Sequence, residues 1–129
     1  MTKESGTKES GECALLIVLT EAVPGKEEEF HRWYDTEHLP HMLKLEGFVS
    51  ARRYQLSSRA LPGEPSGGPR FLTIYEVEPG RVEEAAAALE GAWGDLAALV
   101  PRDALDGSVG ASHRFYEPLS AFGRSSSAP

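Results

Sequence analysis

The spacing of apolar and polar positions predicts four strands and two helices between two polar ends. The first strand is a short, β-branched apolar run at Ala14–Thr20, and two more strands are predicted at 48–56 and 70–77. A helix rich in alanine and leucine follows at 82–99, and a last strand is predicted at 112–119. One further helix lies between the first and second strands.

That first helix, predicted over 26–37, carries the most informative pattern of the chain. Glutamates fill its opening turn, where they complement the positive end of the helix dipole. Its inward stripe follows the i, i+3, i+4, i+7, i+8 spacing of one helix face and consists of Phe30, Trp33, Tyr34, Glu37 and His38. Because the stripe ends in a carboxylate and an imidazole, we expect both groups to point inward into a polar pocket. The alternatives are a structural hydrogen-bonded pair and a last helical turn that already opens to solvent.

Pro40 predicts an interruption of this helix. The residue before a proline disfavours helical backbone, so we expect a break just after His38, where the helix kinks or restarts through 41–44 before it ends at Gly47. Such a break frees backbone groups and widens the space beside the imidazole. A small ligand is therefore expected to enter next to His38.

The order β-α-β-β-α-β predicts a ferredoxin-like α+β fold, an antiparallel four-stranded sheet with both helices on one face. The other sheet face has apolar positions on the first and third strands, and the chain has no further element to cover it. Pairing with a second copy is the expected solution, so we predict a homodimer. The predicted domain spans 13–122, and the ends at 1–12 and 123–129 are expected to be disordered because they lack large apolar side chains.

Composition narrows the class of protein. With 129 residues, 40% of them hydrophobic, the chain fits one compact domain. A net charge of −7 without a basic stripe argues against nucleic acid and anionic lipid as partners. No apolar run approaches the roughly 20 residues of a membrane span and no signal-peptide pattern is present, so a cytoplasmic protein is expected. The single cysteine, Cys13, allows no internal disulfide.

The pattern Trp-Tyr-x-x-Glu-His-Leu-Pro at 33–40, followed by Gly-Phe-Val-Ser-Ala-Arg-Arg-Tyr at 47–54, resembles the EthD-like branch of the dimeric α+β barrel superfamily. The resemblance extends over 14–119. It implies a ferredoxin-like protomer, dimerisation through the sheets and a cavity between helices and sheet. Related branches include cofactor-free monooxygenases, polyketide cyclases, muconolactone isomerases and decarboxylases, and likeness of fold does not choose among them. The family histidine corresponds to His38, and related cyclases use a histidine together with a tyrosine in this cavity.

The candidate catalytic residues are His38, Tyr34 and Glu37. An imidazole has an ordinary pKa of about 6.5, so His38 exchanges protons near neutrality and is the predicted general base. Glu37 or Asp35 is near enough in sequence to orient it or to stabilise its charge. Tyr34 lies one helical turn before His38, where its phenol is able to donate a hydrogen bond to a carbonyl or enolate oxygen.

Five further residues are predicted to contact the substrate: Trp33, Arg53, Tyr54, Tyr75 and His113. Either strand tyrosine is able to take the donor role, and Tyr75 reaches the cavity if its side of the strand turns toward the helices; a core aromatic is the alternative. Arg53 is suited to a carboxylate, although an ion pair with a surface acid is common. His113 either completes the pocket or lies at the dimer interface.

No metal or organic cofactor is predicted. His38 and His41 have a spacing that forms one edge of a metal site, but Pro40 interrupts the pair. His31 and Asp35 have a similar spacing and are expected on the solvated face of the helix. There is no glycine-rich phosphate loop and no dinucleotide fingerprint, so nucleotide and flavin cofactors are unsupported.

These residues predict a cofactor-independent enzyme that moves a proton on a small, apolar, aromatic or polyketide-like substrate, giving cyclisation, isomerisation, decarboxylation or dehydration. A non-catalytic dimeric protein that binds a hydrophobic small molecule in the same pocket is the first alternative. A cofactor-free monooxygenase is the second, because an electron-rich phenol would be activated by deprotonation at the same base.

Overall fold

A computed structural model describes residues 12–108 and 111–124. In chain order the elements are β1 (Ala14–Thr20), α1 (Glu27–Trp33), a π-helical turn (Tyr34–His38), α2 (Leu39–Met42), β2 (Phe48–Gln55), β3 (Phe71–Val77), α3 (Val82–Ala98) and β4 (Ser112–Tyr116). The predicted disordered ends lie outside these residues, apart from Glu12, Gly123 and Arg124. No helix in the described ranges combines the length and apolarity that a membrane span requires.

The four strands form one antiparallel sheet in the order β2-β3-β1-β4. The central strand β1 pairs with β3 on one side and β4 on the other, so that Leu16 lies opposite Tyr75 and Phe115. Strand β2 pairs with the far side of β3, with an irregularity between Phe48 and Ser50. Because side chains alternate across a strand, this register decides which side chains share a face of the sheet.

One face of the sheet forms the core with the helices. The side chains of β1 and β3 that point to this face are all buried. They alternate with more exposed side chains on the other face, as expected for a strand with one covered face. The larger part of the core combines these positions with Met42 of α2 and with Ala85 and Leu89 of α3. A second cluster packs α1 against Phe71 through Phe30 and Trp33. The antiparallel sheet with helices agrees with the predicted α+β class.

The opposite face, called the outer face here, is aliphatic at its centre. The residues of β1 and β3 that point to it are partly exposed; they include Leu15, Ile17, Leu19, Leu72 and Ile74. The edge strands flank this row with Tyr54 on β2 and Tyr116 on β4, both about half exposed, and with two arginines, Arg52 opposite Ile74 and Arg114 opposite Ile17.

The predicted break after His38 is wrong. The chain stays helical through Leu39, whose φ of −61° and ψ of −44° are those of a right-handed helix. A π-helical turn replaces the break, and the Leu39 N–H donates to the Tyr34 carbonyl five residues earlier. Pro40 has no N–H to donate and crowds the preceding turn, so one wider turn lets the helix pass the proline without a stop.

Candidate functional site

A cavity of about 130 Å³ lies between the covered sheet face and the helices. Its walls come from β1, β3, β4, the π-helical turn and all three helices, and most are apolar. The fold brings five of the predicted site residues to this cavity, namely Trp33, Tyr34, His38, Tyr75 and His113. The other three, Glu37, Arg53 and Tyr54, do not line it. The cavity is therefore the candidate site.

His38 enters the cavity from the end of the π-helical turn. Its ring stacks on Trp33, with centroids 4.7 Å apart and planes 24° apart, and meets the Tyr34 ring edge-on at 5.1 Å. Burial lowers the pKa of His38 to about 4, and repulsion from His113 and His41 in their protonated forms and from the Arg53 guanidinium acts in the same direction. The imidazole is therefore neutral near pH 7 and is available as a proton acceptor.

Glu37 lies outside the site, contrary to the expectation that it points inward beside His38. The extra residue of the π-helical turn rotates the helix faces, so that Glu37 is exposed while His38 stays partly buried. Within the described part of the chain, no hydrogen bond or ion pair joins the Glu37 carboxylate to His38. The neighbouring carboxylate therefore does not orient the imidazole.

Tyr34 and Tyr75 present two buried phenols to the cavity. Burial raises the pKa of Tyr75, and the adjacent Tyr34 raises it further, so the Tyr75 hydroxyl stays protonated. The two hydroxyls nevertheless do not meet in standard hydrogen-bond geometry, since the Tyr75 oxygen has no partner among the described residues. Tyr75 is thus a buried donor in the wall of the cavity, without a well-formed hydrogen bond to any residue of 12–108 or 111–124.

Arg53 lies behind Tyr34. Its guanidinium carbon is 4.3 Å from the centroid of the Tyr34 ring, Nη1 donates to Asp35 Oδ1 at 3.1 Å, and Nη2 lies 2.9 Å from His31 Nδ1. Because arginine only donates, His31 Nδ1 accepts this hydrogen bond and its proton is on Nε2. Arg53 therefore connects β2 to α1 and to the π-helical turn. Its guanidinium covers the side of the Tyr34 ring that points away from the cavity.

These contacts correct the expected position of His31. The helix spacing placed it on a solvated face, but its ring is half-buried and packs edge-on against Phe71 with centroids 4.8 Å apart. The long side chain of Arg53 reaches it from the neighbouring strand. His31 is therefore part of the packing that holds Arg53 against Tyr34.

Tyr54 is on the outer face of the sheet. It pairs with Leu72 on β3, whereas Arg53 pairs with Thr73, whose side chain lies on the covered face. Since neighbouring strand residues point to opposite faces, Tyr54 does not reach the cavity of its own protomer. Tyr75 is the strand tyrosine that the fold brings to the site.

His113 and Trp93 mark the exposed side of the cavity. The two rings meet edge-on with centroids 5.0 Å apart, and each side chain is also in part exposed to solvent. Burial of the ring face that turns inward lowers the pKa of His113. A second imidazole therefore lies at the entrance, on the side opposite α1.

Sequence reasoning did not identify Thr20 and Trp93 as site residues. Thr20 continues the covered face of β1 two residues beyond Val18, and Trp93 follows Leu89 by one helical turn. The alternation of the strand and the spacing of the helix were the signals that place both side chains toward the core. Neither signal distinguishes the wall of a cavity from ordinary packing.

Among residues 12–108 and 111–124, no three histidine, cysteine, aspartate or glutamate side chains converge in a way that would hold a metal ion. No protein-family model matches the chain, and no curated protein matches it significantly. Function is therefore inferred from the geometry of the cavity.

Proposed function

We propose that the protein is a cofactor-independent enzyme in which His38 removes a proton from a small, largely apolar substrate. The observation that carries this proposal is a neutral imidazole facing an apolar cavity that also contains the phenols of Tyr34 and Tyr75. A base and a hydrogen-bond donor around one bound molecule are the groups that proton transfer next to a carbonyl requires.

In this mechanism the proton passes from the substrate to a ring nitrogen of His38, and the electron pair stays on the substrate as an enolate or phenolate. The raised pKa of Tyr75 keeps its hydroxyl protonated, so it donates to the oxygen that becomes negative. Return of the proton at another position gives isomerisation, and attack of the carbanion on a second carbonyl gives cyclisation. Glu37 has no part in these steps.

The low pKa of His38 limits the substrates that suit this base. Each unit by which the pKa of the substrate exceeds that of the imidazolium adds about 1.4 kcal/mol to the free energy of proton transfer. A substrate with an activated proton, on a phenol or beside a carbonyl, is therefore favoured. A cofactor-free oxygenation would begin with the same deprotonation.

We also propose that the protomer has the ferredoxin-like fold of the EthD-like dimeric α+β barrels and pairs through the outer face. The strand order β2-β3-β1-β4, with helices on the opposite face, supports the protomer fold. The part-exposed aliphatic row that includes Ile17 and Ile74 supports a contact with a second copy.

A non-catalytic binding protein is the second candidate. It is favoured by the exposed position of Glu37, which does not pair with the imidazole, and by the lowered pKa of His38. In this candidate His38 offers a ring nitrogen as a hydrogen-bond acceptor to a bound molecule and transfers no proton.

Exchange of carbon-bound hydrogen in heavy water separates the two candidates. We expect the protein to catalyse deuterium incorporation into the methyl group of acetophenone, read by NMR, and His38→Ala to lower the rate by about 10²- to 10⁴-fold. His41→Ala, from the same helical segment, serves as the control and should keep the rate. An unchanged rate in His38→Ala would remove the general base, and binding without exchange by the wild type would favour the binding protein.

A further inference from the structure

The cavity restricts the size of what it binds. Its volume of about 130 Å³ is close to that of protein cavities of roughly 150 Å³ that hold benzene. A single six-membered ring with a small substituent therefore fills the space between the sheet and the helices. A fused-ring molecule needs the entrance at Trp93 and His113 to open.

The cavity also restricts the charge of its ligand. None of the described residues that line it is lysine, arginine, aspartate or glutamate. Arg53 lies close by, but it is separated from the cavity by the Tyr34 ring and is paired with Asp35. Moving a carboxylate from water into such surroundings is unfavourable without a partner of opposite charge, so a neutral molecule is preferred.

Two buried hydroxyls supply the polar contact. Tyr75 is 0% exposed and Thr20 is 4% exposed, both line the cavity, and neither hydroxyl oxygen has a hydrogen-bond partner among the described residues. A purely aliphatic or aromatic hydrocarbon would leave both unpaired. An oxygen atom on the ligand accepts from such a hydroxyl, so it is recognised where a hydrocarbon is not.

We infer that the cavity binds neutral, single-ring molecules that carry one hydroxyl or carbonyl oxygen, with the Tyr75 hydroxyl as the donor to that oxygen. This inference rests on the cavity of the proposed function and names the class of molecule it takes. It concerns binding alone, so it stands or fails independently of proton transfer by His38.

The test compares three probes of similar size on the full chain near pH 7.5, with binding followed by calorimetry or by NMR. Phenol and toluene are both neutral, and benzoate is an anion. We expect phenol to bind at least ten-fold more tightly than either toluene or benzoate. Benzoate that binds as tightly as phenol would overturn the choice of a neutral ligand, and toluene that does so would overturn the polar contact.

Variants then locate the contact. Tyr75→Phe should reduce phenol affinity about ten-fold, to near that of toluene, and leave toluene affinity unchanged. Tyr54→Phe, the matched change on the outer face, should alter neither. Ala97→Trp, at an exposed position of the cavity wall, should weaken all probes by filling the cavity, and this variant remains informative if Tyr75→Phe does not fold. Unchanged phenol binding in either Tyr75→Phe or Ala97→Trp would contradict the inference.

Discussion

His38 gains its properties from its neighbours rather than from its own element. Trp33 and Tyr34 cover its ring, and the nearest carboxylate in sequence, Glu37, faces solvent. An imidazole that loses water without gaining an anion has a lowered pKa, and repulsion from His113 and His41 in their protonated forms and from Arg53 adds to the effect. The group is consequently a neutral acceptor at neutral pH.

This environment predicts a loss of stability in mild acid. The folded-state pKa of His38 is about 4, whereas an unfolded histidine titrates at about 6.5. The unfolded chain therefore takes up the proton first. The contribution of His38 to the free energy of unfolding is fully present above about pH 6.5 and is lost as the pH falls toward 4. Between pH 7.5 and pH 5, His38 should account for about 2 kcal/mol of this loss.

Urea unfolding at the two pH values measures the effect. His38→Phe keeps a ring stacked on Trp33 and removes the titration. Between pH 7.5 and pH 5 its free energy of unfolding should therefore fall by about 2 kcal/mol less than that of the wild type. His41→Gln is the control and should keep nearly the full loss. Equal losses in wild type and His38→Phe would show that His38 is solvated in the folded protein.

At the scale of the elements, two features of the backbone position the site. The π-helical turn directs His38 into the cavity and lets the helix continue through Pro40. The loop before β2 then passes close to α3 at Gly47, which has a φ of +91° and whose carbonyl accepts the N–H of Glu78 at 2.8 Å. A side chain at Gly47 would place its Cβ 3.0 Å from the Cβ of Ala85.

Gly47→Ala should therefore destabilise the protein through both backbone conformation and packing. Gly25 has a similar φ of +87°, but a Cβ added there would meet no atom within 4 Å, so Gly25→Ala is a matched control for conformation alone. We expect Gly25→Ala to cost about 1–2 kcal/mol and Gly47→Ala to cost about 1–3 kcal/mol more. Denaturant unfolding measures both, and similar values would mean that the loop moves away from α3 without loss.

At the scale of the whole molecule, the outer face offers a surface for assembly. Ile17 and Ile74 are paired across β1 and β3 at its centre and are both partly exposed. Contiguous apolar surface of this kind is typical of a contact between proteins. The proposed contact is with the same face of a second copy, as a two-fold dimer requires.

Light scattering tests this assembly. The wild-type chain should have a mass near twice 14.0 kDa at low micromolar concentration, and Ile17→Lys should lower it toward the monomer because a charge would be buried in the contact. Leu61→Lys, at a loop position that is 68% exposed, is the control and should leave the mass unchanged. A soluble wild-type monomer would remove the dimer from the proposal.

The local patterns of the sequence determined the kinds of element and much of what each buries. Alternation in β1 and β3 identified the strands, and helical spacing identified Phe30, Trp33 and Tyr34 as inward residues, all of which are buried. Such patterns succeed because a side chain's direction within one regular element follows from the geometry of that element. His38 was found in the same way.

The tertiary structure alone decided which of these side chains meet. The π-helical turn moved Glu37 out of the expected stripe, pairing with β3 placed Tyr54 on the outer face, and Arg53 found its partners on α1 and the π-helical turn. The cavity, and the Tyr75 hydroxyl that has no partner in the described part of the chain, depend on how three strands and the helices pack together. Contacts between residues distant in sequence are set by packing, and the periodicity within a single element does not contain them.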